Sequence, residues 1–187
     1  MPKQIWKPGN MLNPLPAVLV TVMDAQGKAN ILTIAWAGTV CTNPPMVSIS
    51  VRPERYSYHM IEETKEFVIN LTTARLVYAV DYCGVKSGRD VDKFQELHLT
   101  KIPASGVCVP AIEESPVNIA CRVTEQKPLG SHTMFLAEVV SVQAEEAYLD
   151  EKGRFGLNET ELITYSHGEY FQLGKKLGKF GYSVEKR

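Results

Sequence analysis

The chain has 187 residues, 44% hydrophobic and 22% charged, the balance of an ordinary globular protein rather than a disordered chain, a fibre or a polytopic membrane protein. Lys and Arg number 20 and Asp and Glu 21, a formal net charge of −1. No whole-molecule field is expected to gather nucleic acid or an anionic membrane, so neither is an expected partner.

The apolar run 15–23 ends at Asp24, too short for a bilayer span and without the cleavage pattern of a secretory signal. Within it, Val18 to Met23 predicts a strand. The turn-like residues 24–28 follow, and an extended run from Ala29 to Val40 completes a hairpin. Asn43-Pro44-Pro45 breaks the chain. From Met46 to Arg52, Val47, Ile49 and Val51 alternate with Ser48, Ser50 and Arg52, a strand with one polar face. Residues 53–64 predict a helix, with Tyr56 and Met60, and Ser57 and Ile61, four apart. Residues 66–71 predict a strand, and 75–82 a short helix capped by Gly84. Residues 87–94 read as irregular. Two strands, 117–126 and 132–143, flank Lys127-Pro128-Leu129-Gly130-Ser131. The second is apolar or small on both faces, as in a barrel or at a subunit contact. Short strands at 161–165 and 170–173 precede a basic, glycine-rich tail, 174–187.

Seven or eight strands with two short inserted helices predict a mainly β fold, an antiparallel barrel rather than a doubly wound parallel sheet. A single domain over 1–187 is expected, with its core at about 10–175.

Cys41, Cys83, Cys108 and Cys121 form no C-x-x-C pair and no zinc-like spacing with histidine. Four reduced thiols and a cytoplasmic setting are expected, without a metal site. The nucleophile elbow, the H-E-x-x-H helix, the P-loop and the dinucleotide glycine fingerprint are all absent.

Phosphate-friendly residues remain. Arg52, Arg55 and Ser57 stand at a strand-to-helix junction, where free N–H groups and the helix dipole favour an anion. The same residues also fit a helix cap flanked by solvated arginines. Trp36 lies in Asn30 to Gly38, a stretch of strand that ends in small residues, and fits either the border of a flat ring or core filling. The stretch Cys83 to Phe94 packs glycines, aspartates and basic residues into one loop, which also fits a solvated surface.

Taken in order, N-x-x-T-x-A-W, P-P-x-x-x-x-S-x-R-x-x-R-x-S, E-F-x-x-N-L, C-G-x-x-S-G-R-D-x-D-K-F and G-S-H-T-x-F-x-A-E-V resemble the flavin reductase-like, FMN-binding split-barrel family, in particular its flavoredoxin-type members. The resemblance covers about residues 10–175. It implies a six-stranded Greek-key split β-barrel, a homodimer and FMN near the subunit interface. By that resemblance Arg52, Arg55 and Ser57 hold the phosphate, joined by Lys93. Ser48 and Ser50 lie under the ribityl chain and ring. Asn30, Thr33, Ala35 and Trp36 frame the isoalloxazine, and Cys83, Gly84 and Ser87 complete the pocket. His132 stands where the flavin reductase branch carries G-D-H, with Ser131 replacing the Asp; it fits a place near flavin and nicotinamide or a hydrogen-bonded strand end. The implied activity is electron transfer from NADH or NADPH through flavin to free flavin, ferric iron or an acceptor protein. The alternative is an FMN electron carrier without NAD(P)H turnover of its own.

Overall fold

The computed structural model describes residues 1–185. Its elements begin with β1 (Leu15–Pro16), β2 (Val18–Met23), β3 (Ala29–Ile34), β4 (Ala37–Cys41), β5 (Met46–Val51), α1 (Tyr56–Thr64) and β6 (Glu66–Asn70). They continue with α2 (Val77–Val85), α3 (Lys93–Glu96), β7 (Lys101–Ile102) and β8 (Ala111–Ile112). The last four are β9 (Val117–Pro128), β10 (Thr133–Ala144), β11 (Ile163–Ser166) and β12 (Glu169–Gln172).

Seven strands form one antiparallel sheet in the order β3-β2-β6-β9-β10-β5-β4. Its two edge strands are consecutive in the chain, joined only by Ala35 and Trp36. In a flat sheet, six gaps of about 4.8 Å would separate those edges by about 29 Å. Three Cα steps of about 3.8 Å from Ile34 to Ala37 span at most about 11 Å. The sheet therefore curls until its edges nearly meet. Ser50 N–H donates to the Trp36 carbonyl at 2.8 Å and holds the crossing to β5. The result is a barrel split along the β3/β4 seam.

The sheet's seven strands agree with the seven or eight read from the residues and exceed by one the six that the resemblance implies. The run 29–40 is not one strand: it bends at Ala35-Trp36 and places its halves on opposite edges. The helix expected at 75–82 begins as a 3₁₀ turn at Ala74–Leu76 and continues as α2 to Val85. Gly84 lies inside it, and Lys86, in extended backbone, ends it. The stretch expected to be irregular ends in α3, whose first turn is capped by the Asp92 carboxylate accepting from the N–H groups of Phe94 and Gln95.

The alternation in β5 is as expected: Val47, Ile49 and Val51 are buried. They join Val20, Leu32, Phe67 and Phe135 inside the curl, closed by Tyr58, Met60 and Ile61 of α1. On the outer face of β2 and β3, Leu19 and Ile31 pack against Ala79 and Val80 of α2 and Phe94 of α3. This second layer positions the 83–94 segment against the seam. A further sheet, β1-β11-β12, brings Tyr165 and Tyr170 to the same place.

Candidate functional site

A cavity of about 510 Å³ opens at the seam, within the usual range for a small-molecule site. Asn30, Thr33, Ala35, Trp36, Ser50, Arg52, Arg55, Ser57, Cys83, Gly84, Ser87, Lys93 and His132 all line it. Ser48 does not. It is two residues from Ser50 along β5, opposite Gly38 and Leu136, so it shares the polar face but lies beyond the cavity wall.

The N-terminus of α1 forms one wall. Arg55 is the N-cap residue, makes no side-chain cap, and no acid occupies the first turn. The first N–H groups of a helix have no partner within it and present a positive end. Ser57 is buried rather than capping. Its Oγ accepts from Asn30 Nδ2 at 2.7 Å, which leaves the hydroxyl hydrogen free to donate. Arg55 Nη1 donates to the Gly84 carbonyl at 3.1 Å, bridging α1 to the end of α2. Arg52 pairs with Glu54 at 2.9 Å on the surface.

Lys93 forms the floor. It is only 3% exposed, and Nζ donates to the carbonyls of Ile31 at 2.7 Å and Cys83 at 2.9 Å. Burial pulls its pKa below the ordinary lysine value, and the nearby Arg55 charge pulls the same way. An ammonium has three donors, so one is unspent on these carbonyls. Among the described residues no carboxylate pairs with it. Cys83 is buried beside it, and desolvation pushes the thiol up to about 11 although Lys93 pulls the other way. Such a thiol is protonated near neutrality and is a poor nucleophile.

Two glycines lie in this wall for different reasons. A Cβ on Gly84 would meet the Thr33 side chain at an ordinary 3.5 Å, whereas one on Gly88 would collide with the Asn30 amide. Thr33 Oγ1 donates to the Val80 carbonyl, so this hydroxyl fastens α2 to β3.

Trp36 resolves the choice left open by the sequence. It is 42% exposed and borders the cavity instead of filling the core. The His132 ring lies nearly parallel to it, 8° between planes and 6.0 Å between centroids. Ser131 Oγ is 2.9 Å from His132 Nδ1, so a serine meets the ring from the neighbouring position.

Sequence reasoning missed several lining residues. Lys86, Gly88 and Arg89 lie inside the quoted C-G-x-x-S-G-R-D stretch, and its glycine and basic residues were the available signal. Tyr56 is half-buried between Lys28 Nζ, 5.3 Å from the ring centroid, and the Arg89 guanidinium at 5.4 Å. Tyr165 and Tyr170, ring centroids 5.8 Å apart, carried no local signal, because a separate sheet delivers them.

A cavity bordered by the Trp36 and His132 rings, with a helix N-terminus, the Arg55 guanidinium and a buried ammonium with a spare donor, suits a planar ring carrying an anionic tail. The flavin reductase like domain family matches residues 11–174. This chain belongs to the flavin reductase-like family. Its split barrel is similar to flavoredoxin of Desulfovibrio vulgaris (Miyazaki F), 30% identical with a TM-score of 0.90 over 98% of this chain and 100% of that one. It also resembles an FMN-binding protein from Thermus thermophilus solved with bound 1-cyclohex-2-enone, 25% identical, TM-score 0.79, covering 96% and 98% of the two chains. A curated relative, the NADPH-flavin oxidoreductase of Streptomyces viridifaciens, is 26% identical over 145 residues, 76% of this chain and 69% of that protein. As a flavin reductase-like split barrel, this chain places residues from β3, from the β5–α1 junction and from the 83–93 segment around one cavity at the seam between its sheet edges.

Proposed function

We propose that this chain is an FMN-dependent oxidoreductase that takes reducing equivalents from NADH or NADPH and passes them to free flavin, ferric iron or an acceptor protein. Lys93 carries the reading: a buried cation with an unspent donor, facing a cavity and crowded by Arg55, is stabilised by an anion placed between the two. The phosphate of FMN meets that need, with Arg55, Lys93, the Ser57 hydroxyl and the α1 N–H groups as donors. The name of the Thermus thermophilus relative supports FMN as the flavin, and that of the Streptomyces viridifaciens relative supports a reduced nicotinamide.

When bound, FMN supplies the redox chemistry, accepting a hydride and releasing one or two electrons. The protein's part is to bind and orient. Asn30 holds Ser57 for the phosphate. Trp36, His132 and Tyr165 present flat rings at the cavity where an aromatic ligand stacks. Cys83 stays a protonated thiol and takes no covalent part. His132, with Ser131 at Nδ1, is a proton donor or acceptor at the cavity wall.

The working unit is a single domain and a homodimer. Exposed apolar residues at both ends of the chain, Trp6, Leu12, Leu177 and Phe180, favour burial against a second copy. Free cysteines favour a cytoplasmic setting. No described helix is long and apolar enough to cross a membrane.

The likeness to flavoredoxin favours a second reading, a bound-FMN electron carrier reduced by another protein. One experiment separates them: the visible spectrum of the FMN-loaded protein before and after anaerobic NADPH or NADH. Rapid bleaching of the flavin bands supports the oxidoreductase. Persistent bands support the carrier, and failure to retain FMN overturns both.

A further inference from the structure

Five cationic side chains, Arg52, Arg55, Lys86, Arg89 and Lys93, line the cavity against one carboxylate, Glu54. The lining thus carries four more positive than negative charges, in a chain whose net charge is −1. A phosphate monoester brings at most about two negative charges near pH 7, enough for Arg55 and Lys93. Glu54 already offsets Arg52. Lys86 and Arg89 are left over. Among the described residues neither has a carboxylate at ion-pair distance. Arg89 is nevertheless held in place, over the Tyr56 ring and donating to the Glu54 carbonyl at 3.4 Å. A guanidinium fixed in this way loses less freedom on meeting a ligand.

We propose that Lys86 and Arg89, beside the flavin phosphate site at the start of α1, form a second phosphate subsite that binds a phosphate group of the nicotinamide dinucleotide. It rests on the reading of the cavity as an FMN site with a nicotinamide reductant. Two phosphates of such a ligand share the required chemistry, the pyrophosphate and the 2′-phosphate. The mouth offers a planar fork and a flexible point charge, a pair suited to either.

The test is binding to the FMN-loaded protein, followed by calorimetry with two probes. ADP-ribose carries the pyrophosphate, and 2′,5′-ADP carries the 2′-phosphate. Arg89→Ala and Lys86→Ala each weaken one or both probes by about tenfold, the loss expected for a charge-assisted hydrogen bond. Arg89→Lys restores part of that loss. Loss confined to 2′,5′-ADP assigns the subsite to the 2′-phosphate and predicts a preference for NADPH over NADH. Loss with ADP-ribose assigns it to the pyrophosphate. Unchanged affinity for both probes overturns the proposal. So does a loss of FMN affinity in these variants without loss of probe affinity, which would give both cations to the flavin phosphate. Failure of the unaltered protein to take FMN instead overturns the underlying reading, and a separate FMN titration records it.

Discussion

The Lys93 ammonium donates to the Cys83 carbonyl at 2.9 Å, tying the start of α3 to the end of α2 beneath the cavity. One buried charge thus organises a wall made of two sequence segments and is exposed to whatever anion enters.

Lys93→Met is expected to weaken FMN binding by about tenfold or more, the loss of a charge-assisted bond, measured by quenching of FMN fluorescence. Its pH behaviour has a definite sign. Burial lowers the folded-state pKa from the usual 10.5, so between that lowered value and about 10.5 the unfolded chain holds more protons. Stability then rises with pH in that window. Without FMN, the wild type should therefore gain stability relative to Lys93→Met as pH climbs toward 10.5. With FMN bound, the phosphate favours the charged lysine and the gain should shrink. A pH-independent difference in denaturant midpoint would contradict this.

Cys83 and Cys121 are pushed up by burial to about 11 and about 12, from a usual 9.0. Their shift acts in the opposite direction: stability is fully present below about 9 and declines as pH rises through the folded-state values. At pH 8 in the native protein, iodoacetamide should label exposed Cys108 first and leave Cys83 and Cys121 unmodified until the chain unfolds. Mass spectrometry of timed digests reads the order directly; early modification of Cys83 would refute its burial.

Gly88→Ala should act through a neighbour. The added methyl collides with the Asn30 amide, which must leave Ser57 or push back the 87–89 turn. FMN affinity should fall by about tenfold, the equivalent of one well-made hydrogen bond. Gly84→Ala, with ordinary contact to Thr33, should leave affinity within about twofold. Equal effects from the two substitutions would remove the steric explanation.

The chain has two tryptophans. Trp36 borders the cavity, whereas Trp6 lies in the exposed N-terminal segment. Adding FMN should quench most of the Trp36 emission, and Trp36→Phe should abolish most of the change. Quenching that survives in Trp36→Phe would place the flavin elsewhere.

Much of this protein was legible from local rules. The two-residue alternation in β5 showed which side chains would be buried, because a strand turns successive residues to opposite faces. The junction at Arg55 and Ser57 was legible because a strand running into a helix leaves donors unpaired. Thirteen of the fourteen residues expected at the site line one cavity. Ser48 was not separable from Ser50 by sequence, since alternation gives the face but not the point at which the wall ends.

Tertiary structure decided the rest. The bend at Ala35-Trp36 looks like continued strand, because nothing local marks it; only the curl of the sheet sends its two halves to opposite edges and opens the seam between them. The exposed Trp36, the burial of Lys93 between two carbonyls and the arrival of Tyr165 and Tyr170 all follow from that closure. Sequence determined which side chains carry charge, hydrogen-bonding capacity and periodicity, for these are properties of single residues and near neighbours. Which of those side chains share a cavity depended on long-range strand pairing, and that is fixed only when the whole sheet closes on its core.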